Sequence, residues 1–171
     1  KFSYTNDKEA TVSFAHTFSN DRVTAKINLF KVDKETGKAV PQGDATLKGA
    51  VYGLYAREDI VHPDGATGTI YKAGEQVASL TTDDKGQASV NGLYLGKYYV
   101  KEITPPTGYL ADTEEHDLEC SYEGDMTAEV KRECISSEQV IKQPFQIIKA
   151  ANNGKTDADL LSGAGFTVYL K

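Results

Sequence analysis

The sequence predicts an all-β fold, a sandwich of short strands, and three observations carry that prediction. Apolar residues alternate with polar ones over short stretches. Those stretches favour β-branched and aromatic residues. Turn signals separate them at intervals of about 8–12 residues. No window of about 12 residues carries an apolar stripe of period 3.6.

The elements follow in chain order. Ile27-Asn28-Leu29-Phe30-Lys31-Val32-Asp33 puts positions 27, 29 and 31 on one face, so Lys31 points the way Ile27 and Leu29 point. Lys34-Glu35-Thr36-Gly37 then turns the chain. Further strands are expected at Thr69-Ile70-Tyr71, Val77-Ala78-Ser79-Leu80, Ala88-Ser89-Val90 and Tyr98-Tyr99-Val100-Lys101-Glu102-Ile103. His62-Pro63-Asp64-Gly65, Asp83-Asp84-Lys85-Gly86, Tyr94-Leu95-Gly96-Lys97 and Pro105-Pro106-Thr107-Gly108 are the turns between them. Asp83-Asp84-Lys85-Gly86 lacks the ligand spacing of a calcium loop and reads as a turn.

With 39% hydrophobic residues, ten Tyr and six Phe, the 171-residue chain can build a core. Its net charge of −6 argues against nucleic acid as a partner, since no basic patch would follow phosphates. No apolar run is long enough for direct membrane insertion. The acid is concentrated: residues 112–138 hold ten Asp or Glu against Lys131 and Arg132, a local −8 that leaves +2 elsewhere. This segment reads as a solvated hairpin turning at Glu123-Gly124. Such a hairpin sets Cys120 opposite Thr127, and Cys134 lies about 23 Å further along. A Cys120–Cys134 bridge then requires the strand to fold back. Three His and two Cys in no metal spacing suggest no metal site and no cofactor. No residue reads as catalytic toward an external substrate.

The chain also repeats itself. Ser3-Tyr4 returns as Ser121-Tyr122, an offset of 118 that pairs Val12 with Val130, Ile27 with Phe145, Leu29 with Ile147 and Lys31 with Lys149. Gly49-Ala50-Val51-Tyr52-Gly53-Leu54-Tyr55 returns as Gly163-Ala164-Gly165-Phe166-Thr167-Val168-Tyr169. The expected organisation is tandem. Residues 1–25 close a preceding repeat, 26–140 form a complete domain, and 141–171 open the following repeat.

Three ordered motifs carry a family resemblance. They are Lys31-Val32-Asp33-Lys34-Glu35-Thr36-Gly37, Gly49-Ala50-Val51-Tyr52-Gly53-Leu54-Tyr55, and the stretch from Gly92 to Tyr109 that holds Glu102-Ile103-Thr104-Pro105-Pro106-Thr107-Gly108-Tyr109. Together they resemble the SpaA-like, or Cna B-type, prealbumin-like domain of Gram-positive surface proteins and pilins. The resemblance implies an inverse-immunoglobulin β-sandwich in an extracellular, cell-wall setting. It also implies a self-catalysed isopeptide bond, in which a first-strand Lys attacks a last-strand Asn or Asp beside a promoting Glu or Asp. On this sequence Lys31 takes the nucleophile slot and Glu102 the promoting acid.

The acceptor slot departs from the pattern. Asn20 holds it for the preceding repeat, but the counterpart in the complete domain is Glu138, and Lys149 is the nucleophile slot of the next repeat. An amine attacks only when neutral, and a carboxylate is a poorer electrophile than a carboxamide. The complete domain is therefore expected to lack the bond and to hold Lys31 paired with Glu102 and Glu138. The functional expectation is a non-enzymatic stalk or spacer repeat whose partners are neighbouring repeats. The alternatives are an adhesin that binds host matrix protein or glycan through residues 57–75, and a pilin backbone subunit.

Overall fold

A computed structural model describes residues 15–17, 21–149 and 163–169. The chain divides into two units, Lys1–Val140 and Ile141–Lys171. Among the described residues all regular structure lies in the first unit and is β. The nine strands are β1 Thr24–Asp33, β2 Val51–Ala56, β3 Ile60–Val61, β4 Thr69–Tyr71, β5 Gln76–Thr81, β6 Gln87–Leu93, β7 Gly96–Thr104, β8 Glu115–Cys120 and β9 Glu129–Glu138. In the second unit the described residues are exposed and carry no strand.

Two sheets face each other, ordered β6-β1-β9 and β5-β2-β7-β8, with β3-β4 as a small separate hairpin. β1 is central in its sheet. It runs antiparallel to β6 and parallel to β9, in register from Thr24↔Glu129 to Asp33↔Glu138.

The period-2 pattern decides what β1 buries. Ala25, Ile27, Leu29, Lys31 and Asp33 all point inward with no exposure. The first three pack with Tyr52 and Leu54 of β2, Tyr98 and Val100 of β7, and Val130 of β9. Each such apolar side chain contributes about 1.5–3 kcal/mol by leaving water. At Lys31 and Asp33 the apolar interior ends and a buried polar layer begins. A second small cluster, Leu47, Tyr109 and Val140, is also buried.

Two glycines are fixed by close approach. Gly86 sits at φ +71°, and its carbonyl accepts the Lys31 N–H at 2.8 Å. A Cβ there would lie 2.8 Å from the Lys31 carbonyl oxygen. At Gly53 the ring of Tyr55 fills the space a Cβ would need, while stacking on Tyr99 with centroids 5.0 Å apart.

The expected acidic hairpin is not formed. β8 pairs with β7 and β9 pairs with β1, so the two strands lie in different sheets and residues 121–128 cross between them. Each strand has one inward face, with Cys120 buried on β8 and Val130 and Cys134 on β9. Each sheet takes one of these faces, and that long-range choice overrides the local turn signal. Several of the acids are paired: Arg57 bonds Glu115 at 2.9 Å and Asp117 at 2.7 Å, and Arg132 bonds Glu123 at 2.8 Å. Both thiols are buried and unbridged. Burial raises the Cys120 pKa and pushes that of Cys134 up to about 12, so both stay protonated. Strand β4 is the one expected at Thr69-Ile70-Tyr71, whereas its partner β3 lies below the sequence signal, because two residues show no periodicity.

Candidate functional site: a buried lysine between two carboxylates

The polar layer gathers residues from four strands. β1 delivers Lys31, β7 Glu102, β9 Ser136 and Glu138, and β2 Tyr52, each on an inward-facing register position. Lys31 Nζ lies 3.6 Å from Glu102 Oε1 and is in contact with Glu138 Oε2, with all three side chains at most 2% exposed. The structure thus brings together the three residues singled out in the complete domain. Asn20 lies outside the described residues, and Lys149 is exposed in the second unit.

Further groups complete the arrangement. Tyr52 Oη donates to Glu138 Oε1 at 2.7 Å. Ser136 Oγ lies 3.1 Å from that same oxygen and 3.0 Å from Asp112 Oδ2, so its single proton is shared between two acceptors. The Asp112 backbone N–H donates to Glu102 Oε2 at 2.7 Å. His116 Nε2 meets Asp112 Oδ2 at 2.6 Å. On the other side the Lys31 ammonium lies 5.2 Å from the centroid of the Tyr109 ring. The hydroxyl of Tyr109 donates to Asp33 at 3.1 Å. A polar groove of about 480 Å³, lined by Asp112, Glu114, His116 and Glu138 among others, opens beside the cluster.

Electrostatics follow from this burial. Desolvation lowers the Lys31 pKa to about 8, and the charges of Glu102 and Asp112 act against it. Burial pushes the Tyr52 hydroxyl well above its ordinary range, which keeps it a donor. Burial also acts to raise Asp33, but hydrogen bonds from Thr36, Gln42 and Tyr109 outweigh it and leave its pKa lowered. Lys31 Nζ, Glu102 Oε1 and Glu138 Oε2 make no hydrogen bond of good geometry. Ion pairing and the face of the Tyr109 ring hold the ammonium in place.

Tyr52, Ser136, Asp112 and His116 were not singled out from the sequence. The only signal for Tyr52 and Ser136 was their inward phase on β2 and β9. Asp112 and His116 reach the cluster from a loop and the strand that follows it.

No curated protein matches the chain. Among solved structures, the Bacillus anthracis TIE protein shares 25% identity over 70% of this chain and 18% of its own, with a TM-score of 0.45. The group B streptococcus pilus 2b backbone protein shares 18% over 67% and 40%, at 0.46. GBS52, the minor pilin of Streptococcus agalactiae, shares 21% over 74% and 49%, at 0.47. The chain spans less than half the length of each. The family model for SpaA, described as a prealbumin-like fold domain, matches residues 25–133, a span that contains Lys31, Glu102 and seven of the nine strands in full. The chain belongs to the SpaA prealbumin-like domain family.

Proposed function

We propose that residues 26–140 are a load-bearing structural domain of an extracellular bacterial surface protein, one repeat in a tandem stalk of pilus type. Its partners are the neighbouring repeats. The carrying observation is the parallel pairing of β1 with β9. The chain enters at Thr24, leaves after Glu138, and these two strands are bonded to each other along their whole length. Tension along the chain therefore loads that ladder in shear, and its hydrogen bonds must fail together. The Lys31–Glu138 contact ties the same two strands from inside the core.

Within the cluster Lys31 and Glu138 act as a non-covalent clasp. An ammonium on Oε2 and the Tyr52 and Ser136 hydroxyls on Oε1 suit a charged carboxylate, which resists attack by an amine. Intact-mass measurement of the chain tests this, with the unmodified mass expected. Loss of one water would mean an amide between Lys31 and Glu138. The mechanical role is tested by single-molecule extension through Thr24 and Glu138. Lys31→Met is expected to lower the unfolding force, and an unchanged force would contradict the clasp.

A further inference from the structure

We propose that the apolar groove at the end where β1 begins is the docking surface for the preceding repeat of the same chain, which makes that junction stiff. This rests on the tandem reading proposed above. The groove, of about 280 Å³, is walled by Val23, Val61, Pro63, Tyr94, Leu95 and Tyr122. Val61 is 59% and Tyr122 55% exposed, more than their apolar surface favours.

The length of the connection decides the occupant. Arg22 is pinned to the domain before β1 begins. Its guanidinium donates to the carbonyls of Leu93 at 3.0 Å and Gly92 at 2.8 Å. It also lies 3.9 Å from the centroid of the Tyr94 ring. The offset of 118 sets Asn20 at the position of Glu138, the last residue of β9. Only Asp21 then stands between the final strand of the preceding repeat and the pinned Arg22. One residue reaches about 3.5 Å. A preceding repeat on so short a tether cannot swing clear of the groove.

The exit from this domain shows what such an end brings. Gln139 accepts a bond from the Leu110 N–H at 2.9 Å, and Val140 bridges Tyr109. Leu110, 54% exposed, stands beside that exit. By the same offset Val140 corresponds to Arg22. A junction residue is thus held through its backbone by the repeat it leaves and, at Arg22, through its side chain by the repeat it enters. At so short a separation the effective concentration is high, and a contact too weak to hold free molecules together suffices.

Hydrogen exchange read by mass spectrometry tests the proposal. It compares the 171-residue chain with the natural chain that includes the complete preceding repeat. Amides of residues 60–62, 92–95 and 121–123 are expected to exchange about tenfold more slowly in the longer chain. Val61→Ser combined with Tyr122→Ser should abolish that protection. Equal exchange in the two chains would overturn the proposal, as would protection that appears only when a matrix protein or glycan is added. An upstream sequence with no such repeat would also overturn it. The double variant leaves β1 and β9 untouched, so an unchanged unfolding force for the domain separates failure of the junction from failure of the load-bearing reading.

Discussion

Lys31 is the residue on which the interior turns. It is a fully buried cation between two carboxylates, and removing one partner of such a group strands the others. Lys31→Met should destabilise the domain by about 3–5 kcal/mol. Adding Glu138→Gln to Lys31→Met should cost less than the two single losses together, because Glu138 then no longer carries a charge that has lost its partner. A double-mutant cycle by urea unfolding measures that coupling.

The pH dependence follows from the same burial. The folded-state pKa of Lys31 is about 8, against about 10.4 unfolded. Between these values the unfolded chain holds more protons, so the contribution of Lys31 to stability rises with pH from about 8 to 10. Above about pH 10, Tyr52 acts in the opposite sense, because the folded state keeps its hydroxyl proton after the unfolded chain has lost it. Cys120 and Cys134, whose thiol pKa values burial raises, also act in that opposite sense once the unfolded thiols ionise above about pH 8.5. The Lys31 contribution is therefore read as the difference in unfolding free energy between wild type and Lys31→Met, which should grow from about pH 8 to 10. The inward direction of Lys31 was legible in the sequence, because Ile27 and Leu29 share its phase. The hydroxyls of Tyr52 and Ser136 around Glu138 were not, since strands distant in sequence bring them there.

Elements explain why the site holds its shape. Each of β1, β2, β7 and β9 delivers its group by alternation alone, so a one-residue slip in any of them would turn that group to the outer face. The turn at Asp83–Gly86 fixes the phase of β1. Asp83 Oδ1 accepts the Lys85 and Gln87 N–H groups at 2.8 and 2.9 Å, and Gly86 takes the left-handed backbone that lets its carbonyl meet Lys31. Gly86→Ala should destabilise by about 1–2 kcal/mol from backbone conformation, with a further cost from the Lys31 carbonyl that its Cβ meets. Thermal unfolding reads that loss, and an unchanged Tm would contradict the close approach.

Thr82 ties the start of β2 to the same region. Its hydroxyl donates to the Leu47 carbonyl at 2.6 Å and accepts the Ala50 N–H at 3.0 Å. Thr82→Val should cost about 1–3 kcal/mol by orphaning those buried groups. The turns and most strands were legible because Gly, Asp and Pro mark one and alternation marks the other. The pairing of β8 and β9 was not, because each presents a half-apolar face that either sheet could accept.

At the scale of the molecule, the acidic segment proves to be two strands and a crossing that line the open edges of both sheets. Arg57 pairs with Glu115 and Asp117, and Arg132 with Glu123. These pairs are exposed, and each is worth at most about 1 kcal/mol. The larger consequence of the topology is mechanical. The first and last strands of the domain are parallel neighbours, so any tension applied through its two ends would run along their shared ladder.

That topology sets the most direct test. Thr24 and Glu129 are register partners at one end of the ladder, whereas Thr24 and Glu138 lie at opposite ends. Extension through Thr24 and Glu138 loads the ladder in shear, and extension through Thr24 and Glu129 peels it open bond by bond. A clearly higher unfolding force is expected in the first geometry at equal loading rate. Equal forces in the two geometries would contradict the load-bearing reading.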